Sequence, residues 1–507
     1  MNTAKTYSAQ LNGLSSEIIT IEVDITNGLN AFSVVGLGDR AVEEAKDRVS
    51  AAIKNSGYQS PKQRNQKVVI ALAPADLRKE GPSFDLAMAL AYLGASDSLE
   101  IDGEGKIFLG ELALDGQVRK VSGILPILCD MANHGFTQVF IPEENSEEAS
   151  LARNIAIFPV NSLNETIDHL NGQTRIQPLI NSAPITKASI RFEEMSAIRG
   201  NETAKRGLEI AAAGAHNLIM SGPPGTGKTM LAKSFSSLLP PLSYEQSIEV
   251  TGIYSAAKVL NQGLISHPPF RSPHHTASYP SIVGGGALPK PGEITLAHRG
   301  VLFLDEFPEF DRSVIEALRQ PLEDRVITIS RARGSITFPA QCILIASMNP
   351  CPCGQGSEKG CTCSIRALEA YKRKISGPIM DRLDIWLNVN KIDYEQLAAK
   401  NSSAETSEKI RKRVIEARNI QIKRYRNNKI DDKCFNSEMS AQDLEKLIAM
   451  DDEARSILTS SAQRFFLSGR AFHRVIKVAR TIADLGGAEE INKEHILEAL
   501  QYRQRVG

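Results

Sequence analysis

The stretch Ser221-Gly-Pro-Pro-Gly-Thr-Gly-Lys-Thr229 has the residue types and spacing that hold a phosphate chain. Gly222, Gly225 and Gly227 let the backbone turn so that N–H groups point inward, with Pro223, Pro224 and Thr226 completing the loop. Lys228 can reach the β- and γ-phosphates of ATP, and the Thr229 hydroxyl can ligate Mg²⁺. Two further sets of polar residues suit the same chemistry. Asp305 and Glu306 end an apolar run, where Asp305 would complete the Mg²⁺ shell and Glu306 would orient or deprotonate the attacking water. Asn349 ends another such run and is placed to touch the γ-phosphate or that water.

These groups need elements to position them. The apolar run Asn217-Leu-Ile-Met220 reads as a strand, and Met230 to Phe235 as a helix whose positive N-terminal end faces the loop. Gly300-Val-Leu-Phe-Leu304 and Cys342-Ile-Leu-Ile-Ala-Ser347 read as buried parallel strands, whose carboxyl ends lie beside the phosphate loop. The order of strand, glycine-rich loop, helix and two further strands with polar ends predicts an ATPase core of the AAA+ type.

The 507 residues leave room for about three domains. Lysine plus arginine and aspartate plus glutamate both number 59, so any nucleic-acid contact must come from local patches. No apolar run approaches a membrane span, and the first residues lack the apolar core of a signal peptide. Of the 7 cysteines, four crowd into Cys351–Cys363, which is not a secreted disulfide framework. A cytoplasmic protein is expected.

Residues 1–175 predict a separate α/β domain. Glu17 to Ile25 alternates as a half-buried strand, Ala41 to Ser56 has helical spacing, Lys67 to Leu72 and Thr137 to Ile141 read as strands, and Asp85 to Leu93 as a helix. Glu80-Gly-Pro-Ser83, the run Val118 to Gly135 and Phe140-Ile-Pro-Glu-Glu-Asn145 resemble the proteolytic domain of Lon-type proteases. There the matching serine is the nucleophile and a later lysine its base. Ser83 is present, but Leu125 stands at the lysine position, so the resemblance implies a peptidase-inactive domain. Residues 176–189 read as a linker. Residues 190–395 are then the ATPase core with a cysteine loop at 351–363, and residues 396–507 a C-terminal helical lid.

Further motifs narrow the family. Arg271-Ser-Pro-His-His-Thr-Ala-Ser278, Pro291-Gly-Glu-Ile-Thr-Leu-Ala-His298, Leu318-Arg-Gln-Pro-Leu-Glu323, Met348-Asn-Pro-Cys-Pro-Cys-Gly354 and Ser376 to Asp384 resemble the YifB/ComM family of Mg-chelatase-like AAA+ proteins. The resemblance implies a homo-oligomeric ring, expected to be a hexamer. It implies a DNA helicase that promotes branch migration on single-stranded or branched DNA during natural transformation, with recombination proteins as partners and no membrane. It also implies that Arg382 is an arginine finger acting on ATP of the neighbouring subunit, and that Arg470 is the lid arginine for the γ-phosphate, with Arg474 the alternative. The alternative for Arg382 is a surface salt bridge to Asp381 or Asp384.

Four stretches stay open on the residues alone. His274 and His275 invite a metal, but no acid or cysteine stands at ligand spacing, so a polar loop at a subunit interface or channel is expected. Arg325 to Phe338 reads as a hairpin whose basic tip, Arg331 and Arg333, could contact DNA. Cys351, Cys353, Cys361 and Cys363 suit a structural Zn²⁺ site, against free thiols or a reversible disulfide. The basic stretch 405–429 is either a solvated helix face or a nucleic-acid or subunit contact. The alternatives to a DNA motor are a Mg-chelatase-type motor subunit, an ATP-dependent protease disfavoured by Leu125, and an assembly ATPase with no DNA role.

Overall fold

A computed structural model describes residues 3–63, 65–180, 193–261, 263–286, 289–331, 334–356, 360–392, 405–430 and 433–503. The chain divides into two compact units, one of residues 1–187, 244–265 and 287–290, the other of 188–243, 266–286 and 291–507. The expected linker 176–189 is described only as far as residue 180.

The front unit is built on the strand Ser15–Asn27. Its alternation puts Ile19, Ile21, Val23 and Ile25 on one buried face. It pairs antiparallel with Thr3–Asn12 and with Gln66–Ala73, and Ala31–Val35 adds parallel to the latter. The helix Arg40–Asn55 starts where Asp39 accepts the Val42 N–H at 2.9 Å, and it buries Val42, Ala45, Val49, Ala52 and Ile53 as one stripe. The helix Asp85–Ala95 is buried on nearly every side, so its one acid needs a partner, and Arg48 donates to Asp85 at 2.7 Å. A second, parallel sheet joins Lys106–Phe108, Gln138–Pro142 and Ala156–Val160.

One segment of this unit comes from a distant part of the sequence. The helix Tyr244–Ala256 packs on the helix Ile124–Asn133. Ile248 and Leu264 join the apolar cluster that contains Leu125 and Leu128. The Tyr244 hydroxyl donates to the Leu151 carbonyl at 2.7 Å, and the Arg153 guanidinium lies 3.8 Å from its ring centre. The expected core of 190–395 therefore gives up 244–265 to the front unit. Side-chain patterns within that stretch carry no sign of which partner it joins, so the sequence left it with its neighbours.

The second unit is organised by five parallel strands in the spatial order Phe270–Arg271, Val301–Leu304, Ile343–Met348, Leu218–Ser221, Ile385–Asn388. Both faces are covered. Leu218, Met220, Val301, Phe303, Ile343 and Ile345 face one apolar cluster; Ile219, Leu302, Leu304, Leu344 and Ala346 face the other. This two-sided burial is why the strands read as unbroken apolar runs. The C-terminal helices Asp452–Arg464, Gly469–Leu485 and Lys493–Gln501 share the first cluster through Leu458, Val475, Ile482 and Ile496. The boundary expected at 395–396 lies outside the described residues.

The basic stretch forms the helix Ser407–Asn427. Three of its eight basic residues turn inward. Arg413 pairs with Glu209 at 2.6 Å and with Glu405, Arg418 donates to the Ala212 carbonyl at 2.7 Å, and Arg424 pairs with the buried Asp484. Its first role is structural: it fastens this helix to the helix Glu202–Gly214 and to the lid helix Gly469–Leu485.

Candidate nucleotide site

The phosphate loop leaves the strand Leu218–Ser221 and enters the helix Lys228–Phe235. Gly225 and Gly227 have φ of +77° and +87°, the left-handed region that only glycine adopts cheaply. Nothing lies within 4 Å of where a Cβ would stand on either, so the space beside both is open. Gly222 is constrained differently: a Cβ there would come to 2.2 Å from the Val389 carbonyl. This cradle fits a chain of phosphates.

Lys228 is buried at the base of the loop. It donates to the carbonyls of Gly222 at 2.6 Å and Pro223 at 2.9 Å, and to Asn349 Oδ1 at 3.3 Å. Burial pushes its amine below the ordinary lysine range, and the carboxylates of Asp305 and Glu306 oppose that. The Thr229 hydroxyl donates to Asp305 Oδ2 at 2.9 Å, so two oxygens suited to Mg²⁺ are already adjacent. Ser347, on the neighbouring strand, donates to the other oxygen of Asp305 and fixes the carboxylate. The fold therefore brings together Lys228, Thr229, Asp305, Glu306 and Asn349.

Glu306 is held in the left-handed region, with φ 52° and ψ 45°. A non-glycine residue there is strained by about 1 kcal/mol or more, a cost often found at functional sites. Its N–H donates to Asp305 Oδ1 at 3.0 Å, and its carboxylate is exposed and lies 3.4 Å from His275 Nδ1. His275 is a site residue that motif reading did not find. It was visible only as half of a histidine pair, and nothing in its neighbours points to Glu306, which is distant in sequence.

Arg382 and Arg470 do not join this group. Arg382 is mostly buried and pairs with Glu323, while its Nη1 donates to the Pro378 carbonyl at 2.5 Å. Arg470, at the exposed start of the lid helix, has Nη2 at 3.9 Å from the same Glu323 oxygen. Ser468 caps that helix by accepting the Ala471 N–H at 3.2 Å. Arg474, one turn on, faces inward with Nε 3.5 Å from Asp384 Oδ1. Burial pushes the Asp384 carboxyl up, but the His216 hydrogen bond and the charges of Arg474, His216 and Lys477 outweigh it and hold the group at about 2.

The four loop cysteines converge. Their sulfur atoms all lie within 4.8 Å of one another, with Cys351–Cys353 at 3.2 Å and Cys353–Cys361 at 3.7 Å. A tetrahedral ion with Zn–S bonds of about 2.3 Å requires sulfurs about 3.8 Å apart, so this donor set fits zinc. A disulfide needs about 2.05 Å, and all four cysteines are free thiols. The same loop abuts the phosphate loop: a Cβ on Gly354 would stand 2.9 Å from Pro224 Cδ.

The hairpin forms as expected, with Val326–Arg331 antiparallel to Gly334–Pro339. Arg333 and the side chain of Arg331 lie outside the described residues.

A five-stranded parallel sheet with a phosphate loop at one strand end, an acidic pair at the second and an asparagine at the third defines a P-loop ATPase of the AAA+ class. Models of the magnesium chelatase subunit ChlI match residues 194–397, and its C-terminal part matches residues 404–503. A model described as subunit ChlI of Mg-chelatase also matches residues 21–145. The chain is 40% identical over 513 residues to the competence protein ComM of Haemophilus influenzae, covering 100% of this chain and 98% of that one. It is 41% identical to the protein YifB of Salmonella typhimurium over 99% of this chain and 97% of that one. A DNA replication licensing factor, mcm-6 of Caenorhabditis briggsae, is 23% identical over 56% of this chain and 32% of its own. The chain belongs to the YifB/ComM family of Mg-chelatase-like AAA+ ATPases. Among the described residues no helix is long and apolar enough to cross a membrane.

Proposed function

We propose that the chain is an ATP-driven, ring-forming DNA motor, a helicase that promotes branch migration in homologous recombination during natural transformation. The observation that carries this reading is the end-to-end similarity to a protein named for competence. The ATP site described above gives it an engine, and the distant likeness to replication licensing factors supports DNA as the track. The active form is a hexamer in the cytoplasm, working on single-stranded or branched DNA beside recombination proteins.

ATP and Mg²⁺ supply the phosphoryl group and the cation that neutralises its charge. Lys228 binds the β- and γ-phosphates in place of its present carbonyl partners. Thr229 and Asp305 hold the cation, and Ser347 keeps Asp305 turned toward it. Glu306 orients the attacking water and accepts its proton. Asn349, bonded to Lys228, reports the γ-phosphate to its strand. Arg382 stabilises charge on the phosphoryl oxygens of a neighbour's ATP, and Arg470, which lies beside the same Glu323, is the lid arginine for the γ-phosphate. Arg331 and Arg333 grip the DNA backbone without reading sequence. The front domain is a docking or structural module without peptidase activity.

The test is DNA-stimulated ATP hydrolysis and strand displacement by the purified chain. Hydrolysis indifferent to single-stranded and branched DNA would sink the proposal. It would favour a chelatase-type motor or an assembly ATPase. The chelatase reading has a specific basis, because the models matching all three regions carry that description, the front unit included. The front unit therefore does not separate the two readings.

The four-cysteine loop holds one structural Zn²⁺, with no open position for catalysis. Metal analysis of protein purified under reducing conditions without added zinc should return about one equivalent per chain. Metal-free protein that is nonetheless folded and active would overturn the assignment.

A further inference from the structure

The arginines read as phosphate ligands already hold an anion of their own chain. Glu323 accepts from Arg382 Nη2 and is 3.9 Å from Arg470 Nη2. The two arginines differ in freedom: the side chain of Arg382 is 8% exposed, that of Arg470 64%. Their positive charge exceeds what Glu323 balances. Arg382 Nε is buried without a hydrogen-bond partner, and so is Nη1 of the neighbouring Arg474. Buried guanidinium N–H groups are costly to leave unpaired. Together they mark a place for an acceptor with more oxygens than one carboxylate, while Asp384 and Asp381 offset the charge of Arg474.

A carboxylate and a phosphoryl group offer a guanidinium the same pairing geometry. Glu323 is a poor permanent occupant, because its side chain is 48% exposed and an ion pair in contact with water is weakly held. The Arg382 bond and the nearby charges of Arg470 and Arg474 hold its carboxyl below the usual range, so it is ionised at neutral pH.

We propose that Glu323 is a stand-in for phosphate: it occupies the Arg382–Arg470 anion site until the triphosphate of a nucleotide held by a second copy of this chain displaces it. This rests on the proposed shared site and adds to it an acidic latch that keeps the arginines collected but engaged when no copy is docked. Glu323 lies in the short helix Arg319–Asp324, and the hairpin strand begins two residues after that helix, at Val326.

The test isolates one interface. A donor chain carrying Lys228→Ala cannot use its own site but can lend its arginines. An acceptor chain carrying Arg382→Ala keeps its loop but lends no finger. Hydrolysis in the mixture comes only from interfaces joining an acceptor loop to a donor arginine. Adding Glu323→Gln to the donor should lower the ATP concentration for half-maximal hydrolysis several-fold, with turnover equal or higher. Glu323→Asp, which keeps the charge, should behave like the parent donor. An unchanged concentration dependence would remove the latch. So would a several-fold fall in turnover that Glu323→Asp restores, since that is the mark of a fixed positioning residue. A parent mixture that forms rings but does not hydrolyse ATP fails earlier, and overturns the shared site along with the latch. Thermal melting of the Glu323→Gln chain should match the parent, because the replaced carboxylate is half in water; a large drop would make it a structural pair and overturn the proposal.

Discussion

Each unit carries a motif associated with a reaction, and the two motifs have opposite surroundings. In the ATPase unit every polar group near the phosphate loop is answered by another: Lys228 by Asn349, Thr229 by Asp305, Asp305 by Ser347. In the front unit Ser83 keeps its place, but the residue expected to activate it is Leu125, fully buried among Ile124, Leu128 and Ile107. Around the phosphate loop the fold maintains a polar network, with strain at Glu306. In the front unit, the position that the Lon resemblance gives to the base is buried hydrocarbon. A nucleophile motif is therefore informative only together with what its fold places beside it.

The largest effects should come from breaking the polar network. Lys228→Ala should abolish ATP binding, since the charge beside the γ-phosphate is gone. Glu306→Gln should keep nucleotide binding and lower turnover by about 100-fold or more, the scale of losing a positioned general base. Nucleotide binding and single-turnover hydrolysis measure the two separately. Wild-type turnover in Glu306→Gln would mean that another group orients the water, and His275 would be the first candidate.

The opposite manipulation tests the closed position. Leu125→Lys restores the residue type that the Lon-like motif lacks, but it buries an amine in an apolar cluster. A cost of several kcal/mol is expected, read as a fall in the melting temperature, with no peptidase activity gained. A stable, peptide-cleaving variant would show that the front unit is one residue from an enzyme.

Buried charge is tolerated where it is paired, and Asp384 shows how much that matters. Its folded value of about 2 lies below the ordinary 3.8. A depressed carboxylate contributes stability above its unfolded value and loses it as pH falls through the folded one. Asp384 should therefore add about 2–3 kcal/mol at neutral pH, lost between about pH 4 and 2. Asp384→Asn should flatten that part of the acid-unfolding curve. An unaltered curve would assign the acid transition to other carboxylates.

What could be read from the sequence follows the same division. The strands of the ATPase sheet were legible because burial on both faces leaves continuous apolar runs, and the phosphate loop because its glycines have a backbone reason. The alternation of Ile19 to Ile25 and the stripe from Val42 to Ile53 gave the front unit's first elements. Contacts between distant residues were not legible. His275 against Glu306, Glu323 beneath Arg382, and the segment 244–265 in the front unit depend on how the chain returns, and no local period encodes that. The basic helix stayed open for the same reason: composition cannot tell an arginine that meets Glu209 or Asp484 from one that meets phosphate.

The smallest effect should be at Ser83 itself. Its backbone has work to do, because the Ser83 carbonyl accepts the Gly110 N–H at 3.0 Å at the entry to the helix Asp85–Ala95. That bond survives any side chain. Ser83 is only partly buried, and a change of this kind away from a polar network usually costs within about 0.5 kcal/mol. Ser83→Ala should therefore melt with the parent chain, hydrolyse ATP at the same rate and respond to DNA in the same way. The comparison between the units breaks if the parent chain cleaves an unfolded protein substrate and Ser83→Ala does not. That result would require a base other than a lysine at position 125. Lys79, fully buried and with its amine pushed down by burial, would be the group to replace next.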